Sequence, residues 1–248
     1  MKVSVITATY NSSQTVIDTL ESLNQQTYED IEYIIIDGAS SDATLKVVQE
    51  NCSRIAKIIS EPDKGIYDAL NKGIKAATGD IIGFLHSDDL FAYPDAIRDL
   101  VKTLEAEGTD SVYADLEYVS KEDTSKVVRK WKSGSFSKAK LLSGWMPPHP
   151  TFFMKREQYQ KLGLFNLKFN IAADYDSILR YLWTNEVSTS YLPKVVTKMR
   201  VGGASNRSLK NIVEKTKEDI EALKANGIFW PRAILMKNVS KIPQFFTR

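Results

Sequence analysis

One pattern returns three times in the first 90 residues: a short apolar run rich in β-branched side chains, a polar turn, then apolar residues at helical spacing. Residues 3–8 lead through Tyr10-Asn11-Ser12-Ser13 to Val16, Leu20 and Leu23. Residues 31–36 lead through Asp37-Gly38-Ala39-Ser40-Ser41-Asp42 to Leu45, Val47 and Val48. A third strand over residues 56–60 precedes the stripe Ile66, Leu70, Ile74 and Ala77, for which Gly79 is the expected left-handed cap. Such alternation predicts an α/β fold, with a Rossmann-like, mostly parallel sheet flanked by helices. In open sheets of this kind ligands bind outside the carboxyl ends of the strands. Tyr10, Asp37, Asp88 and Asp89 are therefore expected together at one edge.

The fourth strand, Ile81-Ile82-Gly83-Phe84-Leu85, runs through His86 and Ser87 into two adjacent carboxylates, Asp88 and Asp89. Uncompensated charge at the end of a buried strand costs free energy, so these acids are expected to hold something positive. Mg²⁺ or Mn²⁺ suits them, because hard cations take oxygen ligands and keep waters or substrate phosphates in their remaining positions. A solvated turn is the alternative from these residues alone. No Gly-x-Gly-x-x-Gly and no Gly-Lys-Ser/Thr loop follows a strand, which removes the dinucleotide fingerprint and the Walker phosphate loop.

The 33 basic and 31 acidic residues nearly cancel, which argues against a dedicated nucleic-acid binder. A single cysteine, Cys52, excludes an internal disulfide. No apolar run approaches the roughly 20 residues that span a bilayer, and the first residues lack a signal-peptide pattern. A cytoplasmic protein is expected, with peripheral contact at the inner face of the membrane open.

Beyond Asp89, Pro94 opens a helix with the stripe Ile97, Leu100, Val101 and Leu104, and residues 111–119 and 126–132 read as strands. Three prolines make Gly144-Trp145-Met146-Pro147-Pro148-His149-Pro150 a rigid loop. Residues 152–154 read as a strand, and Ala172-Ala173-Asp174-Tyr175-Asp176 as the entry to a helix. After the turn Gly202-Gly203-Ala204-Ser205-Asn206 comes a last long helix bearing Leu209, Val213, Thr216, Ile220 and Leu223. The expected organisation is one domain over 1–206, halved near residue 90, and a helical extension over 207–248.

Four segments, Val5-Ile6-Thr7-Ala8-Thr9-Tyr10-Asn11, Asp37 to Thr44, Phe84-Leu85-His86-Ser87-Asp88-Asp89, and Ala173-Asp174-Tyr175-Asp176 with Arg180, together resemble the successive motifs of family 2 glycosyltransferases. The resemblance covers about residues 1–205. It implies the GT-A fold, a nucleotide-sugar donor (UDP by family frequency), a glycan or lipid-linked acceptor, Mn²⁺ or Mg²⁺, and inversion at the anomeric carbon. Residue by residue, it implies that Tyr10 stacks beside the base, that Asp37 hydrogen-bonds base or ribose, and that Thr7 lines the same pocket through its backbone. Ser87 and Asp88 would meet the donor, Asp88 and its neighbour Asp89 the metal. Lys64 and Asn71 belong to the segment between base and metal sites, where Leu70 replaces the family's arginine and Lys64 is the substitute charge. His86 stands where the family commonly has an acid. Asp174 would be the general base, Asp176 a partner of Arg180, His149 a substrate contact from the rigid loop, and Trp145 a stacking surface for an acceptor sugar. The Gly202–Ser205 turn resembles a segment that closes over the donor.

The last 20 residues contain Arg232, Lys237, Lys241 and Arg248, several aromatics and no acid. That mixture suits an anionic bilayer surface, and equally a tail packed on its own domain or on a partner subunit, so an oligomer is open. A nucleotidyltransferase and a non-catalytic nucleotide-sugar-binding protein are the competing readings.

Overall fold

Every residue of strand β1 (Val3–Thr9) is buried, so both its faces are covered by other elements. Its side chains alternate between two cores. Val3 and Val5 join Leu20, Val48 and Leu100 on one face of the sheet; Ile6 and Ala8 join Leu70, Phe84 and Tyr175 on the other. The structure, a computed structural model, describes residues 1–202 and 209–239.

In chain order, α1 (Val16–Asn24), β2 (Ile31–Asp37), α2 (Thr44–Asn51), β3 (Ile55–Ser60), α3 (Ile66–Ala76) and β4 (Ile81–Phe84) complete the repeating units. Then come β5 (Asp89–Phe91), α4 (Ala96–Glu107), β6 (Ser111–Val119), β7 (Val127–Trp131), α5 (Lys138–Leu141), β8 (Phe153–Lys155) and α6 (Arg156–Leu162). Helix α7 (Ala173–Ile178) continues as a π-helical segment to Thr184, and β9 (Thr189–Arg200), α8 (Leu209–Ala225) and α9 (Trp230–Val239) follow. The sheet runs β3-β2-β1-β4-β8-β6-β9-β5, with β7 added to β6. The strands β1, β2, β3 and β4 pair in parallel; β8 joins β4 to β6 in antiparallel fashion.

Two glycines mark close approaches of the backbone. A Cβ on Gly83 would lie 2.1 Å from the Phe153 ring, so β4 meets β8 only because position 83 is bare. Gly79 does not form the expected left-handed cap: α3 stops at Ala76 with Ala77 extended. Gly79 is instead required because a Cβ there would meet the Lys2 carbonyl and the Ser4 amide at 2.8 Å.

Strand β9 was not foreseen from the sequence. Pro193 cannot donate to a ladder, and the pairing with β6 slips between Ala114 and Asp115 to pass over Pro193 and Lys194. Helices α8 and α9 are built into the same core as α7 through Ala222, Leu223, Ile228 and Ala233. The expected boundary at 206/207, like Gly203, Ala204 and Ser205 of the proposed closing turn, lies outside the described residues. Lys237 leaves the expected basic surface: it bonds Asp219 at 2.8 Å and lies 3.6 Å from the Tyr175 ring centroid. Lys241 and Arg248 lie outside the described residues. Among the described residues no helix is long and apolar enough to cross a membrane.

Candidate active site

Because β1 and β4 are neighbours in the sheet, the turns that leave them open side by side. Asn11 adopts a left-handed φ of 48°, which lets its Oδ1 accept the Ser41 N–H at 2.9 Å while its own N–H donates to Ser40 Oγ at 2.9 Å. The first turn is thereby locked to the second. Ser12 and Ser87 share a hydroxyl hydrogen bond of 3.0 Å, and Thr15 Oγ1 donates to the Ser87 carbonyl at 2.9 Å, which ties the first turn to the third.

These turns form one wall of a cleft of about 740 Å³, lined by Tyr10, His86, Ser87, Asp88 and Asp89 and, from other elements, by Tyr67, Lys121, Asp174 and Arg200. Tyr10 is 64% exposed, so its ring is available for stacking. Asp174 sits in the first turn of α7. Its Oδ1 accepts the Tyr67 hydroxyl at 3.2 Å, and the same hydroxyl reaches the Ile171 carbonyl at 2.8 Å. Burial, and then the charge of Asp174, push the Tyr67 phenol well above its usual range, so it stays a hydrogen-bond donor. Asp176 instead pairs with Arg180 at 3.8 Å.

Asp89 is 1% exposed, and neither of its carboxylate oxygens has a hydrogen-bond partner. Burial first, and the neighbouring Asp88 second, push its carboxyl well above the ordinary range against the opposing pull of Arg200. His86 Nδ1 is likewise enclosed without a partner, and burial lowers that imidazole against the opposing pull of Asp88 and Asp174. A buried carboxylate with no hydrogen-bond partner of its own, beside a second acid, fits a position that takes a cation. Among the described residues no cluster of three or more His, Cys, Asp or Glu side chains is present. The pair Asp88 and Asp89 therefore fits an open site for a hard cation, completed by water and phosphate, and not a closed structural site.

Several of the expected site residues do not line this cleft. Asp37 is fully buried, and its two oxygens accept hydrogen bonds from Ser40 and Ser60, so its carboxylate organises the second turn. Thr7 is a core residue whose hydroxyl bonds Tyr33 and the Leu85 carbonyl. Asn71 is a buried clamp on both main-chain groups of Phe165, at 2.9 Å each. Lys64 is exposed and does not line the cleft. His149 is stacked on Phe84 with centroids 5.1 Å apart, where burial and the nearby His86 pull it down to about 3. It supports His86 from beneath, at 6.0 Å between rings. Trp145 packs edge-on against Tyr113 and near Phe136, away from the cleft.

Two residues without a local signal matter here. Tyr67 orients Asp174, and Arg200, at the end of β9, holds the third turn by donating to the Asp88 carbonyl at 2.9 Å while it bonds Asp18. Only the long-range pairing of β9 brings that guanidinium into place.

The family model for glycosyl transferase family 2 matches residues 4–170. An uncharacterised glycosyltransferase of Mycobacterium tuberculosis is 37% identical over 180 residues, which is 72% of this chain and 68% of that protein. Among solved structures, the 1–349 fragment of S. aureus TarS in complex with UDP-GlcNAc superposes with a TM-score of 0.72 at 17% identity, covering 96% of this chain and 70% of that one. This chain spans 42% of a longer TarS structure. A mannosyltransferase from Pyrobaculum calidifontis, in complex with GDP-Man and Mn²⁺, gives a TM-score of 0.64 at 20% identity over 96% of this chain and 73% of that one.

Proposed function

This chain belongs to glycosyl transferase family 2 and is a glycosyltransferase; from that premise we propose that it moves a sugar from a nucleoside diphosphate, UDP first among them, to a hydroxyl of a glycan or lipid-linked acceptor with inversion. The observation that carries this reading is the shared cleft of Asp88, Asp89 and Asp174, in which a buried carboxylate has no partner. The UDP-GlcNAc complex of TarS and the GDP-Man and Mn²⁺ complex of the mannosyltransferase support the donor and metal classes.

Asp88 and Asp89 would hold Mn²⁺ or Mg²⁺. A cation held there would supply charge neutralisation to a departing diphosphate. Asp174 takes the proton of the acceptor hydroxyl, and the Tyr67 hydroxyl keeps that carboxylate aimed into the cleft. Tyr10 offers its exposed ring to the base. Lys121, exposed and lining the cleft, replaces Lys64 as the countercharge available to the diphosphate. On the C-terminal helices, Phe229, Leu235 and Met236 are 73%, 64% and 41% exposed, and Arg232 is exposed beside them. Together with the acid-free last 20 residues, this supports peripheral contact with an anionic bilayer, where a lipid-linked acceptor would be met.

The test is to incubate the protein with a panel of nucleotide sugars, Mn²⁺ and acceptor glycans or lipids, and to follow nucleoside diphosphate release. Asp174→Asn is expected to lower kcat by about 10²- to 10⁴-fold, the usual contribution of a positioned base, with UDP binding retained. Transfer that survives both Asp88→Ala and Asp174→Asn defeats the mechanism.

A further inference from the structure

We infer that Glu218, on α8, is the positioning residue for Asp174, an inference that rests on the role proposed for Asp174 above. Helix α7 begins without a side-chain cap of its own, since its N-cap residue is Ala172. The first N–H groups of any helix lack intrahelical partners. At this start, Glu218 on another element accepts from the N–H of Asn170 at 3.0 Å and from those of Ile171 and Ala172 at 2.8 Å each, so it holds the segment that leads into the helix and the N–H of the N-cap residue itself. One carboxylate gathers three consecutive main-chain donors and meets the positive end of the helix.

The stretch that Glu218 holds leads directly to the reaction centre. Asn170 and Ile171 line the cleft. The Ile171 carbonyl shares the Tyr67 hydroxyl with Asp174 Oδ1. Asp174 is thus fixed on two sides, by α3 through Tyr67 and by α8 through the 170–172 backbone. Asp174 Oδ1 also accepts the Tyr175 N–H at 2.8 Å, and the residue lines the cleft. Glu218 does not line the cleft, so its influence passes through the backbone it holds. The helix that carries it is itself anchored to the same region: Asn226 Nδ2 donates to Asp176 Oδ1 at 3.3 Å, Trp183 Nε1 donates to the Asn226 carbonyl at 3.1 Å, and Lys237 closes on Asp219. Helices α8 and α9 therefore support the segment that leads to Asp174 without lining the cleft.

The experiment compares Glu218→Ala and Glu218→Gln in the full chain by two measurements. The first is steady-state kinetics with the best donor: Glu218→Ala is expected to lower kcat up to about 100-fold, the scale of a small misplacement of a catalytic group, while donor KM changes by less than about twofold. Glu218→Gln, which keeps one acceptor oxygen of the two, should fall between. The second is hydrogen exchange, which reads local opening without needing activity. Amides 170–174 should exchange faster in Glu218→Ala, and those of β1 and β2 at the wild-type rate. Unchanged exchange at 170–174 overturns the inference. A uniform rise that includes β1, with kcat and KM altered together, overturns it as well, because Glu218 would then support the whole fold. If Asp174→Asn keeps full activity while Glu218→Ala still frees 170–174, the role of Asp174 fails and the backbone clamp stands.

Discussion

Asp89→Asn should make the metal-free protein more stable while it removes activity. A carboxyl whose folded pKa is raised is favourable to folding at low pH and unfavourable above its unfolded value. Its contribution is intact below about pH 3.9 and is lost as pH rises toward the folded pKa. Asp89 is such a group, enclosed with no partner on either oxygen and beside a second acid. Within that window the wild type loses about 1.4 kcal/mol of stability per pH unit to this one residue. Asparagine keeps the shape and cannot ionise, so the pH-dependent loss disappears. Urea unfolding in EDTA at stepped pH values above about 3.9 should show the difference between the two proteins growing in favour of the variant, by at most about 1.4 kcal/mol per pH unit. Mn²⁺ should reverse the ranking, since a ligand at 100 times its Kd adds about 2.7 kcal/mol to the wild type alone. If the variant in EDTA is less stable at pH 7 than the wild type, Asp89 is well solvated or hydrogen-bonded when ionised, and the argument for a cation at this position falls with it.

Glu32→Gln carries the opposite sign. Although burial opposes it, hydrogen bonds from Ser4, Thr78 and Lys2 hold this carboxyl down to about 2 against an ordinary 4.5, so about 3 kcal/mol present above pH 4.5 is lost as pH falls through 2. The variant's deficit in urea unfolding should be large at pH 7 and shrink toward pH 3. Gly83→Ala should cost about 1–3 kcal/mol or more, because the new methyl group lands on the Phe153 ring in a filled core; thermal unfolding with no loss of stability would contradict this. Ala39, in the second turn, holds a left-handed φ of 62°, which disfavours a Cβ by about 1–2 kcal/mol. Ala39→Gly should therefore leave stability unchanged or raise it by up to about 1 kcal/mol after the entropy of glycine is counted, as scanning calorimetry will show.

The first 90 residues were legible because each of their strands and helices announces itself locally. Strand β1 alternates between two apolar cores, and α3 carries its stripe at helical spacing. Strand β9 was hidden for the converse reason: Pro193, Lys194 and Lys198 interrupt any apolar pattern, and it becomes a strand by pairing with β6 on one side and β5 on the other. The acids of the cleft could be found at strand ends, but their supports could not. Tyr67 is one aromatic in an amphipathic helix, and Glu218 reads as part of a charged, solvated face until α8 is folded against α7. Asp37 shows the other side of this: an acid after a strand is easily seen in the sequence, but the Ser40 and Ser60 hydrogen bonds that fix it in the turn are visible only in the fold.

The join between β4 and β6 is narrow. Strand β8 has three residues and pairs with its neighbours only over Ile81 to Lys155, Ile82 to Met154, Ser111 to Met154 and Val112 to Phe153. Across this strip the bare α-carbon of Gly83 receives the ring of Phe153. For anyone recombining relatives, this contact is a compatibility rule: a chimera that takes its first 90 residues from one enzyme and the remainder from another must inherit glycine and phenylalanine at these positions as a matched pair, or neither.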